Sequence, residues 1–234
     1  MRWIATIVVS LLAGFAGAAA FALSGLGDRQ IEAWLMDNPQ VLPEAMAVLQ
    51  QRETLERIEP LRAELEAPYP GAVLGNPQGT ITLVEFTDYA CSYCRQSVPD
   101  VTALIAANPD LKVVIREYPI LTAESADAAR MALAAAQQGR FEAFHNAMFA
   151  AGQVSPATIE AAASAAGVDL ARARAAIEGG QFEAQLQNNV FMAQTLGISG
   201  TPSWIVGDRA LDGAVGREAI GRAITEARNT ARNS

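Results

Sequence analysis

The chain has 234 residues, 51% of them hydrophobic, with a formal net charge of −8. That length and apolar content allow one sizeable core with extra segments. The acidic balance excludes nucleic acid, whose phosphates need a basic face, and two cysteines with one distant histidine, His145, are too few for a four-ligand zinc site in one chain, so no metal is expected without a second chain.

Met1-Arg2-Trp3 makes a short basic start, followed by an uncharged apolar stretch from Ile4 to Leu23. Residues 1–23 therefore read as a signal peptide or a membrane anchor. Ala18-Ala19-Ala20 and Ala20-Phe21-Ala22 both fit a small-x-small cleavage pattern, while a run of roughly twenty apolar residues also spans a bilayer. Both readings place the protein in the periplasm or outside the cell, either freed or held through residues 4–23. Such compartments are oxidising, and a cysteine pair there can remain a disulfide or pass one on.

Residues 24–70 form a predicted helical arm and linker. Asp28 is placed to cap a short helix carrying Ile31, Trp34 and Leu35, which Asn38-Pro39 ends. Pro43 fits the first turn of a second helix, with apolar positions Leu42, Met46 and Leu49, then Leu55, Ile58, Leu61 and Leu65, and Pro60 breaks or kinks it. A thin stripe of this kind can pack on the protein's own domain or on copies of itself, so residues 28–67 are a candidate homo-oligomer contact. Ala67-Pro68-Tyr69-Pro70-Gly71 reads as the linker.

The main domain is expected over 71–234. Asn76-Pro77-Gln78-Gly79 turns the chain into a buried strand, Ile81 to Phe86, and Ser92 to Ala107 has helical spacing in Val98, Val101, Leu104 and Ile105. Between them stands Cys91-Ser92-Tyr93-Cys94, which holds both cysteines of the chain. Three residues apart at a helix start, the two sulfurs can face one another across a single turn. Cys91 lies where unsatisfied N–H groups and the helix dipole favour negative charge, and Cys94 lies a turn further in. The pattern fits redox chemistry, with Cys91 attacking and Cys94 resolving. A structural disulfide would close too short a loop to constrain the unfolded chain much.

Leu111 to Tyr118 reads as a second strand ended by Pro119, so strand, helix and strand make a parallel unit with a right-handed crossover. Residues of about 120–196 form an alanine-rich helical insertion; Ser155-Pro156 is a cap with a first-turn proline, and Gly139, Gly167 and Gly179-Gly180 mark ends. His145 stands beside the face of Phe141, Phe144 and Met148 with no local partner, and is read as packed rather than functional. Ser203-Trp204-Ile205-Val206, a Gly207-Asp208 turn and Arg209-Ala210-Leu211 form a hairpin, and a last helix from about Arg217 to Arg228 buries Ile220, Ala223, Ile224 and Ala227.

The strand, the Cys-Ser-Tyr-Cys motif, the helical insertion, Gly200-Thr201-Pro202, the hairpin and the last helix occur in the order found in the thioredoxin superfamily. Over about residues 28–234 the chain resembles its DsbA-like thiol:disulfide oxidoreductases, including exported ScsC-like members with an extra helical arm. The resemblance implies an α/β thioredoxin fold, a cis-proline loop at Thr201-Pro202 opposite the cysteines, and a buried acid at Glu85 that handles a proton for the inner thiol. Pro99 matches a proline that kinks the active-site helix. Exported clients carrying thiols or disulfides and a membrane redox partner are implied, with no cofactor. A groove around Tyr93, Pro202 and Trp204 would hold an extended client through its backbone. Ser92-Tyr93 departs from the proline-histidine of strongly oxidising DsbA proteins and stands closer to the glycine-tyrosine of disulfide isomerases, and Thr201 leans the same way. The direction of exchange stays open between isomerase or reductase and DsbA-like oxidase. A dedicated reductase for one partner and a non-catalytic envelope interaction protein are the rival readings.

Overall fold

The computed structural model describes residues 2–23 and 26–233. They fall into two compact units, residues 1–50 and 51–234.

The first unit is helical. Helix α1, Arg2–Leu23, contains a segment, Arg2–Phe21, long and apolar enough to cross a membrane. Helix α2 runs Leu26–Asp37 and α3 begins at Val41. Asp28 lies inside the first turn of α2 and so is not its cap; the positions before Leu26 are outside the described residues. Asn38 ends α2, its side-chain amide donating to the Trp34 carbonyl at 2.8 Å. Ile31, Trp34, Leu42, Met46 and Leu49 are all exposed.

The second unit starts within α3, which ends at Ile58. A 3-10 turn over Glu59–Leu61, with Pro60 in its first positions, redirects the chain into the short α4, Arg62–Glu66. Ile58 and Leu65 are buried against Val84, Phe86, Val114 and Ile205. The apolar stripe expected along the arm is therefore divided: its second half packs on its own domain, and its first half is exposed. The compact unit thus reaches back some way before Gly71.

The strands are β1 Val73–Gly75, β2 Ile81–Thr87, β3 Leu111–Glu117, β4 Ser203–Val206 and β5 Arg209–Asp212. They form one sheet in the order β1-β3-β2-β4-β5, in which β2 and β3 are parallel and every other pair antiparallel. Both central strands are covered on both faces, which explains their near-continuous apolar sequences. Alternation then sends Leu83, Glu85, Val113, Ile115 and Glu117 to one face and Val84, Phe86, Val114 and Arg116 to the other. The edge strand β1 has three residues, too few for a periodic signal.

Helix α5, Ser92–Ala107, crosses from β2 to β3 as the parallel pairing requires. The insertion is built from α6 Ala123–Gln137, α7 Phe141–Ala150, α8 Pro156–Ala165, α9 Leu170–Glu178 and α10 Glu183–Leu196. Thr122 and Ser155 open α6 and α8 with reciprocal side-chain caps, and α10 ends on Gly197, whose φ of 76° is open to glycine at little steric cost. Helix α11, Gly216–Asn233, closes the chain and buries Ile220, Ala223 and Ile224.

Candidate active site

Strand β2 ends at Thr87, and Asp88 shapes the turn that follows. Its Oδ1 accepts from the Ala90 N–H at 2.8 Å, and its Oδ2 accepts from the N–H groups of Ile120 and Leu121, both at 2.9 Å. One carboxylate thereby joins the turn before Cys91 to the root of the insertion. Cys91 is the N-cap of α5, with φ −77° and ψ 118°, and its carbonyl accepts from the Arg95 N–H at 3.1 Å. Its sulfur sits at the helix end where N–H groups are unpaired within the helix and the dipole is positive.

Both cysteines are free thiols. Cys91 is 6% exposed, more covered than a helix-head position suggests, because the Thr201-Pro202 loop lies over it: the Cys91 Sγ–H donates to the Thr201 carbonyl at 3.2 Å. The Thr201-Pro202 peptide is cis. Cys94 is fully buried. Burial first, and the charge of Glu85 second, push its thiol well above the ordinary cysteine range.

Glu85 sits in the middle of the sheet, paired with Ile115 on one side and Trp204 on the other. It is 3% exposed, and burial pushes its carboxyl up to about 8. A strand glutamate is most often solvated; this one lies on a strand covered on both faces. Tyr93 stands in the first turn of α5 with its ring exposed beside the cysteines in sequence. Trp204 does not reach a client-facing surface: it is fully buried, and its Nε1–H donates to the Gly213 carbonyl at 2.9 Å. The groove expected around Tyr93, Pro202 and Trp204 loses that member because inward-facing β4 positions pack into the core.

A second buried group was not expected from the sequence. The Tyr89 hydroxyl donates to Glu117 Oε1 at 3.1 Å and lies 3.2 Å from His145 Nδ1. All three residues are buried. Burial lowers His145 to about 4, so its ring is neutral at pH 7, and burial raises Glu117. These contacts join positions 28 and 56 residues apart, so no local pattern marks them. A cavity of about 100 Å³ behind α5 is lined by Glu85 and His145 together with Leu74, Val98, Val101 and Ile105.

A family model described as Thioredoxin matches residues 69–226. A thioredoxin-like oxidoreductase from Silicibacter pomeroyi DSS-3 is 40% identical, covering 67% of this chain and 91% of that one with a TM-score of 0.65. The thiol-disulfide exchange protein alpha-DsbA2 from Wolbachia pipientis is 25% identical over 76% of this chain and 97% of its own, with a TM-score of 0.69. Proteus mirabilis ScsC in a transitional conformation is 26% identical over 84% of this chain and 91% of its own, with a TM-score of 0.65. Among curated proteins, the Na(+)/H(+) antiporter NhaA 1 of Salinispora arenicola is 30% identical over 158 residues, which is 66% of this chain and 24% of that protein. The chain spans about a quarter of the length of the curated relatives it matches.

Proposed function

We propose, since this chain belongs to the thioredoxin superfamily as a DsbA-like protein with that fold, that it is an exported thiol:disulfide oxidoreductase acting on client proteins through Cys91 and Cys94. The observation that carries the reading is the placement of the two sulfurs. Cys91 caps α5 and touches the carbonyl of a cis-proline loop, while Cys94 is buried beside Glu85.

In this mechanism the Cys91 sulfur attacks a client disulfide and forms a mixed disulfide, releasing the other client sulfur as a thiolate. Cys94 then gives its proton to Glu85 and attacks the mixed disulfide at Cys91, which leaves an enzyme disulfide and a reduced client. Run backward, the steps donate a disulfide to client thiols. The backbone of the Thr201-Pro202 loop and the exposed ring of Tyr93 offer the client its contacts. The periplasmic or exported setting rests on α1 and on the solved periplasmic thioredoxin-like protein from Salmonella enterica serovar Typhimurium, 27% identical with a TM-score of 0.62.

The test is direct. The chain is expected to reduce insulin with dithiothreitol as electron source, Cys91→Ser is expected to lower that rate to the uncatalysed level, and Cys94→Ser is expected to accumulate mixed disulfides with many exported proteins. No insulin reduction by the unaltered chain, with its cellular phenotype kept in the Cys91→Ser, Cys94→Ser double variant, would favour a non-catalytic interaction protein. A single trapped client would favour a dedicated reductase.

The isomerase lean is supported by Ser92-Tyr93, by Thr201 before the cis-proline, and by the exposed apolar positions Leu42, Met46 and Leu49 on α3, which suit contact between copies. Changing these three to glutamate is expected to reduce the mass in solution to that of one chain, with scrambled-ribonuclease refolding falling more than insulin reduction. Equal losses, or a single-chain mass in the unaltered protein, reject the multi-chain form.

A further inference from the structure

Glu85 presents a chemical problem. A carboxyl held up to about 8 by burial is largely an acid at neutral pH. Once it has protonated the inner sulfur it is a carboxylate, uncompensated in the middle of a sheet. No cation pairs with it among the described residues, and its charge bears directly on Cys94. Some group must take up that charge or return a proton.

The cavity behind α5 offers a route. Glu85 lines it from β2 and His145 lines it from α7, and its volume of about 100 Å³ has room for water to bridge them. The His145 ring uses Nδ1 toward the Tyr89 hydroxyl, which leaves Nε2 as its remaining polar atom. Tyr89 in turn meets Glu117 Oε1 at 3.1 Å, and Glu117 Oε2 is buried without a hydrogen-bond partner. Glu117 is thus a second buried carboxyl without a structural ion pair, pushed up by burial and by the charges of Asp88 and Glu85, so that it takes a negative charge only in exchange with Glu85; it stands at the far end of a chain of proton-carrying atoms from Glu85.

We propose that Glu117, Tyr89 and His145 form a buried proton relay opening into the cavity shared with Glu85, and that it transfers to Glu117 the negative charge left on Glu85 during disulfide exchange. The relay presupposes the exchange chemistry proposed above. When a client thiolate attacks the Cys91–Cys94 disulfide at Cys91, the disulfide breaks, the client sulfur is oxidised to the mixed disulfide, and Cys94 departs with the electron pair. Glu85 gives Cys94 its proton. Glu85 regains one from His145 Nε2 through cavity water, Nδ1 takes the Tyr89 hydroxyl proton, and Tyr89 takes the Glu117 proton. The net result is one proton moved from Glu117 to Cys94 and one charge moved from the client sulfur to Glu117. Resolution of a mixed disulfide by Cys94 runs the same steps in reverse.

Glu117, Tyr89 and His145 touch neither sulfur nor client and act through Glu85, so they are positioning residues. The titratable groups facing His145 are Tyr89 and, through it, Glu117, with Glu85 and Glu142 across the cavity; its remaining ring contacts are Phe141 and Phe149.

The chain has one histidine, so its imidazole nitrogen resonances in the ¹⁵N-labelled whole protein belong to His145. At pH 7 the expected result is a neutral ring in both redox forms, with the proton on Nε2 in the oxidised protein and on Nδ1 in the reduced one. Tyr89→Phe, which keeps the ring packing, is expected to abolish the exchange of tautomers and to slow Cys94-dependent resolution at pH 6 on the order of tenfold relative to wild type, with the deficit closing above pH 8. The same tautomer in both redox forms of the unaltered protein, or an unchanged pH profile in Tyr89→Phe, overturns the relay. Failure of the exchange reading itself looks different: the unaltered protein then reduces no client disulfide at any pH.

Discussion

Glu85→Gln is expected to give a protein that is more stable at pH 8 and slower at its chemistry. The carboxyl of Glu85 is raised by burial from 4.5 to about 8. Between those values the folded chain holds a proton that the unfolded chain has released, so the contribution of Glu85 is fully present below pH 4.5 and is lost as the pH climbs to 8. At about 1.4 kcal/mol per pH unit, the loss at pH 8 is on the order of 4 kcal/mol. Glutamine keeps the shape and never ionises, so urea unfolding at pH 8 should show a gain of that order and a flatter dependence on pH. Glu117 is shifted in the same direction and leaves some slope behind. The opposite change is expected in rate. Without a carboxylate to take the proton of the buried Cys94, resolution of a mixed disulfide should slow by about 100-fold at pH 7. Stopped-flow measurement of that step alongside urea titration tests both halves, and a variant that loses stability at pH 8 contradicts the assigned burial.

Arg116→Met is expected to cost about 3 kcal/mol of stability and to loosen the chain before β1. Arg116 is 2% exposed on the sheet face opposite Glu85. Its Nη2 donates to the carbonyls of Glu64, of Leu65 at 3.1 Å and of Ala67 at 2.6 Å, and its Nη1 donates to Asn189 Oδ1 at 3.3 Å. Those carbonyls lie at the end of α4, where a cation is favoured by unpaired C=O groups and the negative end of the dipole. Burial lowers the guanidinium to about 10, which leaves it charged at neutral pH. Methionine fills similar space and takes the guanidinium donor from the buried Leu65 carbonyl and the part-buried carbonyls of Glu64 and Ala67, which is the source of the expected loss. The urea midpoint should fall, and limited proteolysis should cut first between Glu59 and Gly71. A change below about 1 kcal/mol would mean that water replaces the guanidinium there.

The unit of strand, Cys91-Ser92-Tyr93-Cys94 and helix could be read from the residues because each part has a local cause. Ile81 to Phe86 is apolar without interruption, Ser92 to Ala107 keeps a helical spacing, and the structure gives β2 and α5 over nearly those spans. The capping pattern at Ser155-Pro156 and the turn at Gly207-Asp208 were legible for the same reason. What escaped depends on contacts distant in sequence. Nothing around Ile58 and Leu65 distinguishes a stripe that meets Val84 and Phe86 from one that meets another copy, and the two halves of the same stripe differ in this respect. His145 looks like any packed histidine until Tyr89 and Glu117 are brought to it. Trp204 has the makings of a contact residue, yet its place opposite Glu85 on a covered strand puts it in the interior. The side of the sheet on which a residue falls is settled by every strand at once.

The Asp88 carboxylate grips its own turn and the first residues after Pro119. It makes the helices between Ala123 and Leu196 a cassette mounted on a fixed bracket. Exchanging the cassette for a longer or shorter one would leave the nucleophile where it is and replace His145, so descendants of such a graft would differ in their proton wiring before they differed in the seating of their sulfur.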